Sequence, residues 1–446
     1  MPAFHVYLIY VVFPKEEAPY YFCIRRFDCV LNQCLILENL IGDLLPISHQ
    51  NLSHGSGLSL RSRSFQGLFL SLISFLMVST FHSSRVHADK EFAETSFNYD
   101  FSPFIDWLEQ ASDEKNIPGV AFAIVSREGI IHLQSRGVRS VEERGSINTD
   151  SIFRIASMSK TFAGTAAALL VNQNLQSWDA RISDLFPSMK IGTALSSRAI
   201  TLKHVVSHST GLMPHSYSNM LDDGVSYDKI KAKFHEIPTV CSPGECYGYQ
   251  NVVFSLIADV IEERIGGSYE KYIEEQIFKP LGMLTSSIGM EPYINNPDAT
   301  LPHRMVRGSW RTTSTNPAYY SVAPASGINA SVFDMTMWLR ANLGAFPQVL
   351  GVDFLSELHE PIISTNHGNY FNRWTGLEKA YYATGWRVLD YRGIRAIHHG
   401  GGVRGYRSEM TFVPEANIGM VLLFNAESNL ANDVVPTFLD NLTNSL

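Results

Sequence analysis

Thr161 to Leu170 (TFAGTAAALL) is alanine-rich and apolar nearly all the way round. A helix with no polar stripe has no face to give to water, so it reads as a buried helix enclosed by other layers of the protein. The chain is large enough to provide them. It has 446 residues, 45% hydrophobic and 17% charged, an ordinary globular composition. Its formal net charge of −8 argues against a general nucleic-acid binder, which needs a basic face to neutralise phosphates. It shows no repeat period and no phosphate-cradling glycine loop.

Around that helix the pattern changes twice. Phe101 to Ala111 reads as an amphipathic helix. Val120–Val125 and Ile130–Gln134 are apolar runs around Arg127-Glu128-Gly129, a hairpin signal. The middle is mostly helical: Thr201 to about His208, Asn251 to Ile265, Tyr269 to Phe278, and a helix to Leu343 that Ser331 caps, with Asp334 completing a capping box. The C-terminal third returns to strands, at Gly385–Asp390, Ile394–His398, Glu409–Val413 and Ile418–Phe424, before a closing helix from Leu430. The economical architecture is α+β: one antiparallel sheet built from both chain ends, flanked by helices, with an inserted mostly helical region.

The first 90 residues differ in kind. Arg61 and Arg63 precede the apolar stretch Gly67–Phe81, and Val86-His87-Ala88 follows. A basic segment, a short apolar segment and a small-residue cleavage site make a secretory signal peptide over residues 61–88. The competing reading is a membrane anchor. A spanning helix takes about 20 apolar residues, and this run is shorter and broken by serines. The expected product is a periplasmic or secreted chain with no stable membrane span after cleavage. Residues 1–60 have no assigned role and no clear periodicity, and a translation start read too far upstream would account for them. Cleavage removes Cys23, Cys29 and Cys34, leaving Cys241 and Cys246 either as one short-loop disulfide or as two free thiols.

Three motifs carry chemistry. Ser157-Met158-Ser159-Lys160 is an S-x-x-K motif, as are Ser112/Lys115, Ser226/Lys229 and Ser268/Lys271. Ser268 and Ser226 read as helix N-caps, and Ser112 lies near the end of an exposed helix. Ser157 alone enters the buried helix, where a serine in the first turn and a lysine one turn later share a face. Desolvation lowers the pKa of such a lysine, as a base for a serine proton requires. Tyr249-Gln250-Asn251 opens a long apolar segment; Tyr217/Asn219 and Tyr370/Asn372 match the same spacing elsewhere. Tyr249 can act as a phenolate-like base or a relay, and Asn251 can bond a substrate amide or the lysine. Third, His398-His399-Gly400-Gly401-Gly402-Val403-Arg404-Gly405-Tyr406 ends a strand. Its glycines let a ligand lie against backbone N–H groups that can form half of an oxyanion hole.

These motifs, in this order, resemble the class C β-lactamase-related serine hydrolases, a group that also holds DD-carboxypeptidases, D-amino-acid amidases and family VIII esterases. The resemblance covers residues 101–446 and includes His208-Ser209-Thr210-Gly211-Leu212, Ile277–Met283, Pro324–Gly327, Asp334 and Trp338-Leu339. It implies a serine β-lactamase/DD-peptidase-like fold and acyl transfer without metal or cofactor. Ser157, Lys160 and Tyr249 would be catalytic; Asn251, His399, Gly401, Gly402 and Arg404 would bind a small-molecule or peptide substrate, peptidoglycan-derived peptides among the candidates. Gly405-Tyr406 registers His399 rather than His398 on the family's lysine position. A mostly neutral imidazole there suits D-amino-acid peptides or short esters better than cephalosporins. Arg404 would restore the charge or stay solvated. A penicillin-binding sensor or scaffold that acylates without turnover is the alternative. Pocket walls are expected between Leu212 and Cys241 and from Trp310 to Tyr320.

Overall fold

A computed structural model describes residues 4–11, 22–29, 99–143, 145–365 and 368–445. The signal segment 61–88 lies outside them. In the leader, Phe4–Val11 pairs antiparallel with Phe22–Cys29, two strands in a segment whose residue pattern shows no clear period. Among the described residues no helix is long and apolar enough to cross a membrane.

From Tyr99 onward the architecture is the one expected: an antiparallel sheet assembled from both ends, with helices on its faces. Two strands come from the N-terminal side, β1 (Gly119–Val125) and β2 (Ile130–Gly137). Six come from the C-terminal third: β3 (Ile363–Ser364), β4 (Leu377–Tyr382), β5 (Arg387–Tyr391), β6 (Ile394–Val403), β7 (Tyr406–Val413) and β8 (Ile418–Phe424). Their order is β3-β4-β5-β6-β7-β8-β1-β2. The unbroken apolar runs of β1 and β8 follow from their central place, where both faces are buried. Side chains alternate across the sheet. Val120, Phe122 and Ile124 join a core under α1 (Ser102–Glu114) and the C-terminal α5 (Ala431–Thr443), while Ala121, Ala123 and Val125 join the opposite core. Phe438 of α5 stacks on Phe101 at 5.7 Å and meets Phe104 edge-on at 5.3 Å.

That opposite core encloses α2 (Ser159–Asn172), the apolar helix, every residue of which is buried from Ser159 to Leu170. It is wrapped by α3 (Leu256–Ile265) and α4 (Val332–Asn342). Phe162 stacks on Trp338 at 4.0 Å, and the Trp338 indole N–H donates to Thr161 Oγ1 at 3.1 Å. Gly164 meets the turn at Thr384-Gly385 backbone to backbone: a Cβ at Gly385, whose φ is +78°, would collide with the Lys160 carbonyl. This approach sets Lys160 against the start of β5.

Several details differ from the sequence reading. The helix expected from Asn251 begins at Leu256, because residues 251–255 form turns in which the Asn251 carbonyl accepts from Ser255 N (3.2 Å) and Ser255 Oγ (2.9 Å). Tyr269–Ile273 is α-helical, but Glu274–Phe278 widens to a π-turn, since Pro280 has no N–H to continue the ladder. Asp334 does not complete a capping box. Ser331 Oγ accepts from Asp334 N at 3.1 Å, while the Asp334 carboxylate turns to Thr285 N, Thr285 Oγ1 and Ser286 Oγ at 2.8–2.9 Å. The glycines of the third motif belong to β6, and the turn falls at Arg404-Gly405.

Candidate active site

Ser157 lies in a single 3-10 turn, Ala156–Met158, that leads directly into α2. The turn is held from three sides. Ile155 N donates to Ile328 O at 3.2 Å, and the Ile155 carbonyl accepts from Met158 N (3.2 Å) and from Ser408 Oγ of β7 (2.8 Å). Within it Ala156 adopts a left-handed backbone, φ +50°, a conformation that a residue with a Cβ keeps only where its surroundings impose it.

Lys160 is completely buried, and its three ammonium donors have three partners. They are Asn251 Oδ1 at 2.7 Å, Ala325 O at 3.0 Å and Ser157 Oγ at 3.4 Å. Its Nζ also lies 4.6 Å from the centre of the Tyr249 ring. No carboxylate is paired with it among the described residues. Burial, and then the Arg387 guanidinium, push its pKa well below the ordinary lysine value. Tyr249 lies within reach of Ser157. Burial drives its phenol upward against the opposing pull of Arg387 and Ser157, so the neutral O–H form prevails and a standing phenolate does not. The sequence therefore brings Ser157, Lys160, Tyr249 and Asn251 into one cluster from two separate segments.

The glycine strand β6 lies alongside. Gly401 has no room for a side chain: a Cβ there would sit 3.0 Å from Ser157 N and would press on the Ile155 carbonyl. Gly402 and Arg404 are exposed and line a cavity of about 840 Å³, which Asp222, Asn316, Tyr319, Tyr370, Asn372 and Asn432 also border. Asp222 lies in one of the segments expected as pocket walls, and Asn316 and Tyr319 in the other, but Ser157, Lys160 and Tyr249 do not border this cavity. The opposite wall, from 370 to 373 and from 429 to 432, was not anticipated.

His399 departs from the role the resemblance gives it. It has no exposed surface, and both ring nitrogens are engaged, Nε2 with Tyr382 OH at 3.1 Å and Nδ1 with Gly400 O at 2.8 Å. Burial, aided by Arg387 and Lys160, holds its pKa well below the usual imidazole value, so it is a neutral strut. The permanent cation at this site is Arg387, the first residue of β5, which the sequence reading missed. Its Cζ lies 5.8 Å from the Tyr249 ring and 4.7 Å from that of Tyr370, and its Nη1 is buried without a hydrogen-bond partner among the described residues. One signal was available: a lone arginine in the run Ala383-Thr384-Gly385-Trp386-Arg387-Val388-Leu389, otherwise free of charge. Cys241 and Cys246 form a disulfide just before Tyr249, which settles the open alternative. Among the described residues no His, Cys, Asp and Glu group could hold a metal ion.

A mixed fold of this layout, with a serine and a buried lysine at the base of the enclosed helix, defines the class of the serine β-lactamase-like proteins. The chain belongs to the beta-lactamase family, whose sequence profile matches residues 104–444. It is 22% identical over 341 residues to Penicillin-binding protein 4 of Amycolatopsis lactamdurans, covering 73% of this chain and 86% of that protein. It is 23% identical over 383 residues to the Unguisins hydrolase ungD' of Aspergillus campestris, covering 81% of this chain and 66% of the relative. Among solved structures, the octameric penicillin-binding protein homologue from Pyrococcus abyssi superimposes with a TM-score of 0.69 at 22% identity, covering 77% and 78% of the two chains.

Proposed function

We propose that this protein is a serine hydrolase that opens amide or ester bonds through an acyl-enzyme on Ser157. The observation that carries the reading is the buried Lys160, whose Nζ is bonded to Ser157 Oγ and whose charge has no carboxylate to hold it. In its neutral form the amine takes the Ser157 proton as Oγ attacks the substrate carbonyl. Tyr249, a neutral phenol against both groups, relays that proton to the leaving group. The N–H groups of Ser157 and Gly402 receive the oxyanion; removing one such donor in comparable sites slows turnover about 10²–10³-fold. Water then attacks the acyl-enzyme, activated by the same Lys160/Tyr249 pair. Asn251 holds Lys160 and is near enough to share its amide with substrate.

Substrate class follows from the charges. His399 is neutral and enclosed, so a substrate carboxylate finds its cation at Arg387, with Arg404 at the rim. β-Lactams, D-amino-acid peptides and short esters all present the carbonyl this site needs. A penicillin-binding relative and a hydrolase among the similar proteins fit that range. Steady-state assays with nitrocefin, a D-alanyl dipeptide and p-nitrophenyl butyrate test the reading. Turnover of at least one, abolished in Ser157→Ala, is expected. Undiminished turnover in Ser157→Ala refutes it.

A further inference from the structure

His208 takes no part in the chemistry above, yet it is among the most constrained side chains in the molecule. It is 1% exposed, and its backbone sits in the left-handed region at φ +56°. Its carbonyl accepts from Gly248 N at 2.8 Å, and its ring Nδ1 accepts from Gln250 N at 3.2 Å. One residue thus grips the backbone on both sides of Tyr249. A second contact, His215 N to Tyr249 O at 2.8 Å, fixes the carbonyl between those grips. The His208 ring packs 4.4 Å from the Tyr249 ring, 4.7 Å from Tyr382 and 4.8 Å from Phe254.

The hydrogen bonds also define the ring's chemistry. A backbone N–H can only donate, so Nδ1 is the bare nitrogen and the proton of the neutral ring is on Nε2. Burial, with Lys160 and Arg387 nearby, keeps the ring neutral. Nε2 is buried and has no hydrogen-bond partner among the described residues. A buried unpaired donor is destabilising, and an aromatic hydrocarbon would fill the same space without it. What phenylalanine lacks is the Nδ1 acceptor for Gln250.

We propose that His208 is a positioning residue for acylation: it clamps the loop from Gly248 to Gln250 so that the Tyr249 phenol stays against Ser157 and Lys160. The proposal rests on the serine-hydrolase reading. Its signature is dependence on Tyr249, since residues that act as one unit lose their effects together.

The test is p-nitrophenyl butyrate hydrolysis by the full chain, comparing wild type, His208→Phe and His208→Asn, each also in a Tyr249→Phe background. His208→Phe is expected to lower kcat roughly 30- to 100-fold, with KM moving less than about threefold, the pattern of an interaction needed in the transition state. His208→Asn is expected within about fivefold of wild type, because its Oδ1 accepts from Gln250 N and asparagine tolerates a left-handed backbone. In the Tyr249→Phe background, His208→Phe should cost less than about twofold. Wild-type kcat in His208→Phe, or an equal loss in both backgrounds, overturns the proposal. If His208→Phe does not fold, ¹⁵N spectra of the histidine-labelled wild type decide it. A bare Nδ1 and a protonated Nε2 on His208 are expected, and a protonated Nδ1 overturns it. Ser157→Ala separates the two readings: turnover surviving there defeats the hydrolase assignment, whereas a dead Ser157→Ala beside an unimpaired His208→Phe defeats only the clamp.

Discussion

The two faces of strand β6 are built on opposite principles. Behind it, His398 Nε2 meets Glu409 Oε2 at 3.0 Å, and the same buried carboxylate accepts from Tyr370 OH at 2.8 Å and from Arg407 Nη2 at 3.2 Å. In front, His399 meets only a phenol and its own neighbour's carbonyl, and Gly401 lies bare against the Ser157 turn. Adjacent, equally buried histidines thus have unlike neighbours. The back face gathers three partners on one carboxylate and stiffens the strand; the front keeps Lys160 with no carboxylate partner among the described residues. Removing one partner of a buried network is strongly destabilising, so the rear face carries stability and the front face carries chemistry.

The largest stability change should come from the rear. Glu409→Ala leaves Arg407, Tyr370 and His398 without their acceptor and should lower the unfolding free energy by about 3–5 kcal/mol, read by urea titration. A loss below about 1 kcal/mol would mean the network is idle. In front, Gly401→Ala should push the strand from Ser157 and cut kcat about 10²–10³-fold, with a smaller change in melting than Glu409→Ala; equal losses of both kinds would erase the contrast.

The pH dependence of the front face has a definite sign. Lys160 binds its proton less readily folded than unfolded, so the acylation rate should rise with pH through that lowered pKa and level off above it. Folding stability should rise with pH over the window from the lowered value up to the ordinary one near 10.5, because the unfolded chain there holds the extra proton. Stopped-flow acylation from pH 5 to 10 measures the first, and a rate that falls with pH contradicts it. His399→Gln, which keeps hydrogen-bonding capacity without a titratable ring, should cost about 1 kcal/mol and leave that profile in place. Smallest of all, Arg404→Ala should shift stability by no more than about 0.5 kcal/mol, since its exposed side chain has no ion-pair partner among the described residues.

The front face was far more legible in the sequence than the rear. Ser157 and Lys160 share a helical period, Tyr249 and Asn251 share a two-residue spacing, and the glycine run announces a bare strand; each is a local pattern. Glu409, Tyr370 and Arg407 converge from β7 and from a segment 39 residues upstream, and no spacing encodes that meeting. Tyr370 was noticed only as one more Y-x-N match. His399 was credited with a substrate contact, because a sequence cannot show that Tyr382 caps its outer nitrogen. The enclosed helix and the sheet from two chain ends were readable because burial on all sides leaves long uncharged runs. The break at Asn251 was not, since the side-chain bond to Lys160 that occupies it is tertiary.

The most direct test is to trap the acyl-enzyme. Purified protein is treated with a fluorescent penicillin and, separately, with a fluorophosphonate, then weighed intact and mapped after tryptic digestion. A single adduct on the peptide Ile155–Lys160, placed on Ser157 by fragmentation and absent from Ser157→Ala, is the predicted result. An adduct on Ser159 or elsewhere, or undiminished labelling of Ser157→Ala, would contradict it.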